Sequence, residues 1–196
     1  MTTPPTAPAQ TLDEQHAAFV ANRFLAMPIA GTIAWTAIGI AGATLPLWYA
    51  VWAIFIGTGM IFYLGLLVAR FTGEDLMGRE RKGNFFDRVF MLTVVQAVLV
   101  YALAIPFFLV EPTSLPLSVG ILTGLMWVPF SALVGHPIGI FHGVVRTVLV
   151  LAVWYLLPAH RFVAVPAVIV AVYLVTIVVL ARRYARLAGA PRRAVA

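Results

Sequence analysis

Six long apolar runs, each closed off by proline, glycine or charge, occupy most of this chain: 24–43, 46–69, 89–110, 115–134, 137–157 and 162–181. Each is close to the ~20 residues that a helix needs to cross ~30 Å of hydrocarbon. Transmembrane barrel strands are about half that length and alternate in polarity. These runs do neither. The pattern therefore predicts an all-α, polytopic membrane helix bundle with six transmembrane helices. Only Thr44 and Leu45 separate the first two runs, so these form a tight antiparallel hairpin. Pro106 is expected to interrupt the third span and Pro129 to bend the fourth, because proline removes a backbone donor and crowds the carbonyl four residues back.

Outside the spans the chain is polar. Residues 1–22 are rich in Thr, Pro and Ala and lack the basic-then-apolar order of a signal peptide. The opening "MTTPPTAPAQ" is expected to be disordered. "TLDE" then pairs Thr11 with Glu14 as a capping box, predicting a short juxtamembrane helix over 12–23. Residues 23–184 form the six-helix domain, and 185–196 a basic cytoplasmic tail. Lys and Arg collect at Arg23, at 70–88 (Arg70, Arg79, Arg81, Lys82, Arg88) and at 182–193 (Arg182, Arg183, Arg186, Arg192, Arg193), whereas the opposite loops hold Arg161 alone. This asymmetry places both termini in the cytoplasm. Trp48, Tyr49, Trp52 and Tyr155 then fall at the outer membrane interface.

Composition agrees. The chain is 62% hydrophobic and 10% charged, with a mean hydropathy of +0.99, against roughly 25% charge in soluble domains. The net charge of +6 comes from residues that flank apolar runs. It points to anionic phospholipid at the cytoplasmic face and away from nucleic acid. Cysteine is absent, so disulfides, thiolate metal sites and iron–sulfur clusters are excluded.

Against this background, "GHPIGIFHGVVRT" at 135–147 stands out, with two histidines and an arginine beside hydrocarbon. At about 100° per residue, Gly135, Gly139, His142, Gly143 and Arg146 share an arc of about 100°. The three glycines would form a groove for a neighbouring helix, so the polar side chains point into the bundle. Arg146 lies nine residues beyond Pro137, or about 13–14 Å in, near the bilayer centre. A cation there costs at least ~2.5–3.5 kcal/mol on insertion scales and cannot escape by losing its proton.

Something must compensate it, and none of the seven carboxylates lies inside an apolar run. Asp87, at the cytoplasmic mouth of span three, is the nearest candidate partner. Other candidates are carbonyls freed by Pro106 or Pro129, hydroxyls such as Ser131 or Thr147, water, an anionic ligand, and stacking on Trp127 or Phe141. The expected ligand-binding set is Arg146 and His142, with Trp127, and with His136 and Asp87 at the cytoplasmic entrance. Gly135, Gly139 and Gly143 serve packing. A structural alternative makes Arg146 interhelical glue and His142 a hydrogen-bonded core residue. The loop at 70–88 most simply solvates the cytoplasmic face; alternatively Glu74, Asp75, Asp87 and Arg88 form the mouth of a path to the cluster.

No cofactor or metal is expected. Haem would need axial histidines on facing helices, zinc would want three ligands, and a retinal Schiff base needs a buried lysine, whereas Lys82 is in a loop. Over the quoted stretch the chain resembles a family of small bacterial six-span membrane proteins of unknown function. That resemblance implies a bacterial inner-membrane protein and brings no activity or catalytic residue with it. The leading expectation is a membrane protein that binds or translocates a small anionic or polar ligand. A membrane-embedded enzyme on a lipid-like substrate, with His142 as base, and a non-catalytic helper are the alternatives. Such a small unit is also compatible with a homo-oligomer.

Overall fold

Thr11 caps the first helix as expected: its hydroxyl accepts from the Glu14 amide at 3.3 Å, and the Glu14 carboxylate accepts from the Thr11 amide at 2.8 Å. This reciprocal cap starts α1 (Leu12–Val20). The computed structural model describes residues 10–78 and 81–189. Residues 1–9 of the tail expected to be disordered, Arg79, Arg192 and Arg193 lie outside the described residues.

Beyond α1 the described residues form helices joined by turns, with no strand among them. The elements are α2 (Ala26–Thr44), α3 (Leu47–Thr72), α4 (Phe85–Leu99), α5 (Tyr101–Val110), α6 (Leu115–Leu122), α7 (Trp127–Val134), α8 (Ile138–Leu156) and α9 (Arg161–Gly189). Together they give six helices long and apolar enough to cross a membrane, with α4–α5 and α6–α7 each making one span. The chain is an all-α, multi-pass membrane protein.

Two spans are broken, neither quite where proline alone predicts. The third breaks at Val100, and Pro106 sits inside α5. Pro106 withholds an amide from Ala102 and crowds its carbonyl, so the adjustment falls in the preceding turn. The fourth unwinds over 123–126, just before Pro129. The final helix is longer than its apolar run: α9 carries Arg182, Arg183 and Arg186 and ends only at Gly189.

At the centre stands α9, flanked by α2, α6 and α8. Val165, Ile169, Val172, Tyr173, Thr176 and Leu180 are its buried stripe. Small residues allow the close approach: a Cβ at Gly31 would strike the Tyr173 ring, and one at Gly42 the Phe162 backbone. Outer helices expose their bulk, with Ile56, Tyr63 and Leu67 on α3 and Leu92, Val95, Leu99 and Leu103 on α4–α5 all outward, as lipid-facing surfaces do.

One end of the bundle gathers the basic residues and is tied shut by them. Arg23 donates to the Thr72 carbonyl and Arg183 to the Val20 carbonyl, both at 2.9 Å. Arg81 forks onto both Asp87 carboxylate oxygens at 2.9 Å and reaches Asn22 at 3.0 Å. His16 contacts the Leu133 carbonyl at 3.0 Å, so α1 lies across this end.

Candidate functional site

The unwound stretch of span four is where the buried cation is held. Gly124 and Leu125 donate to Ile121 and Leu122, three residues back, and Trp127 and Val128 donate likewise to Gly124 and Leu125. In a regular α-helix the Gly124 amide would take the Gly120 carbonyl. Freed of it, that carbonyl accepts from Arg146 Nε at 2.7 Å. The residue at 124 must also be small, since a Cβ there would meet the Arg146 side chain at 2.9 Å.

Two hydroxyls complete the grip. Arg146 Nη2 donates to Thr123 Oγ1 at 2.8 Å and Nη1 to the Tyr173 hydroxyl at 3.3 Å. Thr123 commits its own proton to the Val119 carbonyl at 2.6 Å, which leaves its oxygen as an acceptor for the guanidinium. The rings of Trp35 and Tyr173 lie 5.5 Å from the guanidinium carbon. Each charge-assisted hydrogen bond contributes about 1.5–3 kcal/mol. Together they offset the insertion cost estimated from the sequence. Arg146 is 0% exposed, one residue from the middle of α8, and among the described residues no carboxylate lies within ion-pair distance of it.

His142, also 0% exposed, sits one turn earlier on the same face. Its Nδ1 is 2.9 Å from Thr176 Oγ1, and Thr176 donates to the Val172 carbonyl at 2.8 Å. The imidazole is stacked on Trp127 at 4.4 Å between centroids and meets the edge of Tyr173 at 4.7 Å. Tyr173 therefore touches both members of the cluster. Sequence reasoning passed over Tyr173, Thr123, Thr176 and Trp35. The single polar side chain per turn on an otherwise apolar stripe was the available signal for Thr176 and Tyr173.

The remaining predicted residues are placed differently. Trp127 covers His142, while the guanidinium lies against Trp35 and Tyr173. Phe141 is exposed on the outer surface. Ser131 accepts from the Ile140 amide at 2.6 Å, and Thr147 donates to the Gly143 carbonyl at 2.7 Å. Asp87 is engaged by Arg81 and does not join Arg146. His136 precedes α8, where its Nδ1 accepts from the Ile138 amide at 3.2 Å. Burial, with the Arg183 and Arg186 charges, holds that imidazole below its ordinary pKa. Gly139 packs against Trp127 and Ser131, and Gly143 against Val128. Gly135 is not part of that groove. It ends α7 at φ 62° with nothing within 4 Å of its missing side chain.

A small cavity of about 20 Å³ opens between the cluster and the basic end, lined by Phe24, Met27, Glu74, Leu76, Phe90, Met126, Trp127 and Phe130. It has room for about one water. Trp127 thus borders the cavity and also covers His142. Glu74 is the cavity's charged wall. Its carboxylate accepts from the Leu25 amide at 3.0 and 3.1 Å and from Ala26 at 3.1 Å, closing the start of α2 beside Phe24, which is held at φ 58°. Burial outweighs these bonds and raises the Glu74 carboxyl above its ordinary 4.5. The folded chain thus binds this proton more tightly than the unfolded one. The group's stability contribution is full below about pH 4.5 and fades as pH rises through the raised value. Glu74→Gln is expected to flatten that part of a Tm-against-pH profile recorded in detergent.

Among known proteins, the sequence model of a family described as a family of unknown function (DUF7010) matches residues 14–183. No curated protein and no solved structure matches the chain.

Proposed function

Because this chain belongs to that family of unknown function, its activity has to be read from its geometry, and we propose that it binds and passes a small anionic or polar ligand at the Arg146–His142 cluster. The observation that supports this most is a fully buried, permanently charged guanidinium at mid-span, held by an unwound helix and facing no carboxylate among the described residues. Intramembrane ionisable groups are rare and costly, and they commonly mark substrate or ion pathways. Membrane transporters commonly bind substrate where a spanning helix is discontinuous. In this reading the protein sits in a bacterial cytoplasmic membrane with its basic end inward, against anionic phospholipid. The ligand reaches the cluster from that end, past Glu74, once Trp127 swings aside on the hinge at 123–126.

The close packing of Arg146 against Gly124 favours a second reading, in which the cluster fixes helix geometry in a non-catalytic helper protein. Proteoliposome uptake of radiolabelled chloride, nitrate, phosphate and hydrogencarbonate separates the two. The first reading expects uptake of at least one of these above protein-free vesicles, cut by about tenfold or more in Arg146→Met, as loss of one strong charge-assisted contact implies. Equal uptake by both proteins, or none by either, would favour the helper.

A further inference from the structure

The cluster's hydrogen-bonding groups are unequal in kind. A neutral imidazole carries one ring proton, and its position follows from its partners. Thr176 has a single hydroxyl proton, and it goes to the Val172 carbonyl at 2.8 Å. Towards His142 that oxygen can only accept, so the proton lies on Nδ1, 2.9 Å away. Nε2 is then a bare acceptor. It is buried and has no hydrogen-bond partner among the described residues.

Among the other groups of the cluster the surplus is of donors. Of the five guanidinium N–H groups of Arg146, three are engaged, by Gly120, Thr123 and Tyr173. The indole N–H groups of Trp35, over the guanidinium, and of Trp127, over the imidazole, are buried and likewise lack partners among the described residues. With the hydroxyl proton of Tyr173, whose oxygen accepts from Arg146 and which has no acceptor among the described residues, five donors and one positive charge accompany one acceptor.

We propose that the ligand of this cluster is an oxyanion that still carries an acid proton, of the hydrogencarbonate or dihydrogenphosphate type. This inference rests on the anion-binding reading above. Such a species meets the arginine and indole donors with its charged oxygens and gives its O–H to His142 Nε2. A halide or nitrate satisfies the donors but leaves Nε2 unpaired, and leaving a buried acceptor unmade costs about 1–3 kcal/mol, a factor of roughly ten in affinity. Thr176 is in this scheme a positioning residue: it acts on the ligand only by fixing the imidazole tautomer.

The test is ion selectivity in the proteoliposome assay. Wild-type protein should take up radiolabelled phosphate or hydrogencarbonate about tenfold better than chloride or nitrate. Thr176→Val, which lets the ring proton move to Nε2, should bring that ratio close to one, and Thr176→Ser should restore it. Arg146-dependent uptake of chloride or nitrate equal to that of the protonated oxyanions overturns the inference and leaves the anion site standing. A preference that Thr176→Val leaves intact also overturns it, because the tautomer would then not be its source. Loss of Arg146 dependence for every anion removes both readings. Should Thr176→Val not fold, the wild-type selectivity alone decides.

Discussion

Gly139→Leu is expected to destabilise the protein by about 3 kcal/mol or more, at the top of the range for overpacking, seen as a fall in Tm in detergent. A Cβ built at Gly139 falls on the Trp127 carbonyl and lies 2.8 Å from Ser131 Oγ and 2.9 Å from its amide nitrogen. Two of these atoms are backbone, so no rotamer change relieves the clash, and α7 and α8 would have to part. Their separation would carry Trp127 off His142 and loosen the 123–126 stretch that grips Arg146. Gly59→Leu is the control. Nothing lies within 4 Å of a side chain at that position on outward-facing α3, so its Tm should stay near that of the wild type. A Tm for Gly139→Leu as high as that of Gly59→Leu would mean that α7 and α8 are not packed as described.

The contrast among the glycines also shows what a sequence pattern can and cannot carry. Gly135, Gly139 and Gly143 share one helical face when spaced on a continuous helix. Gly135, however, lies between the runs ending at 134 and starting at 137. Its left-handed backbone closes α7, a role glycine fills without a Cβ penalty. Gly135 lies three residues before the first residue of α8, Ile138, so it shares no helical face with Gly139 and Gly143. The spans themselves were plain, because a length of about twenty apolar residues is dictated by the bilayer and needs no knowledge of neighbours. The α1 cap was equally local, resting on Thr11 and Glu14 alone.

The partners of Arg146 were legible only in type. A freed carbonyl and neutral hydroxyls were among the expected compensators, and Gly120, Thr123 and Tyr173 are those. Which ones could not be read, for two reasons. The unwound turn precedes Pro129 by several residues, so the free carbonyl falls at 120. Tyr173, from α9, meets Arg146 through a helix pairing that no local pattern encodes. Asp87 attracted attention as a carboxylate at the mouth of a span, yet Arg81, six residues before it, claims both of its oxygens at low entropic cost. Local competition of that kind is invisible when acids are counted only by depth.

Arg146→Lys retains the charge and should nevertheless be the more damaging of two substitutions at this site. The guanidinium reaches Gly120, Thr123 and Tyr173 with three different nitrogens, and its carbon lies 5.5 Å from the centroids of two aromatic rings. A lysine ammonium is a single, strongly hydrated point with a shorter reach. It can keep at most part of this set while its desolvation cost persists. Breaking a buried charged arrangement in this way typically costs about 3–5 kcal/mol. Arg146→Met removes the charge together with its desolvation cost, fills much of the same volume and leaves only three neutral acceptors. Two of these are threonine and tyrosine hydroxyls that can rotate to other partners. The expected order of Tm in detergent is therefore wild type, then Met, then Lys. A lysine variant as stable as wild type would show that the positive charge matters here more than the fork that places it, and that Arg146 meets enough water for an ammonium to stay hydrated.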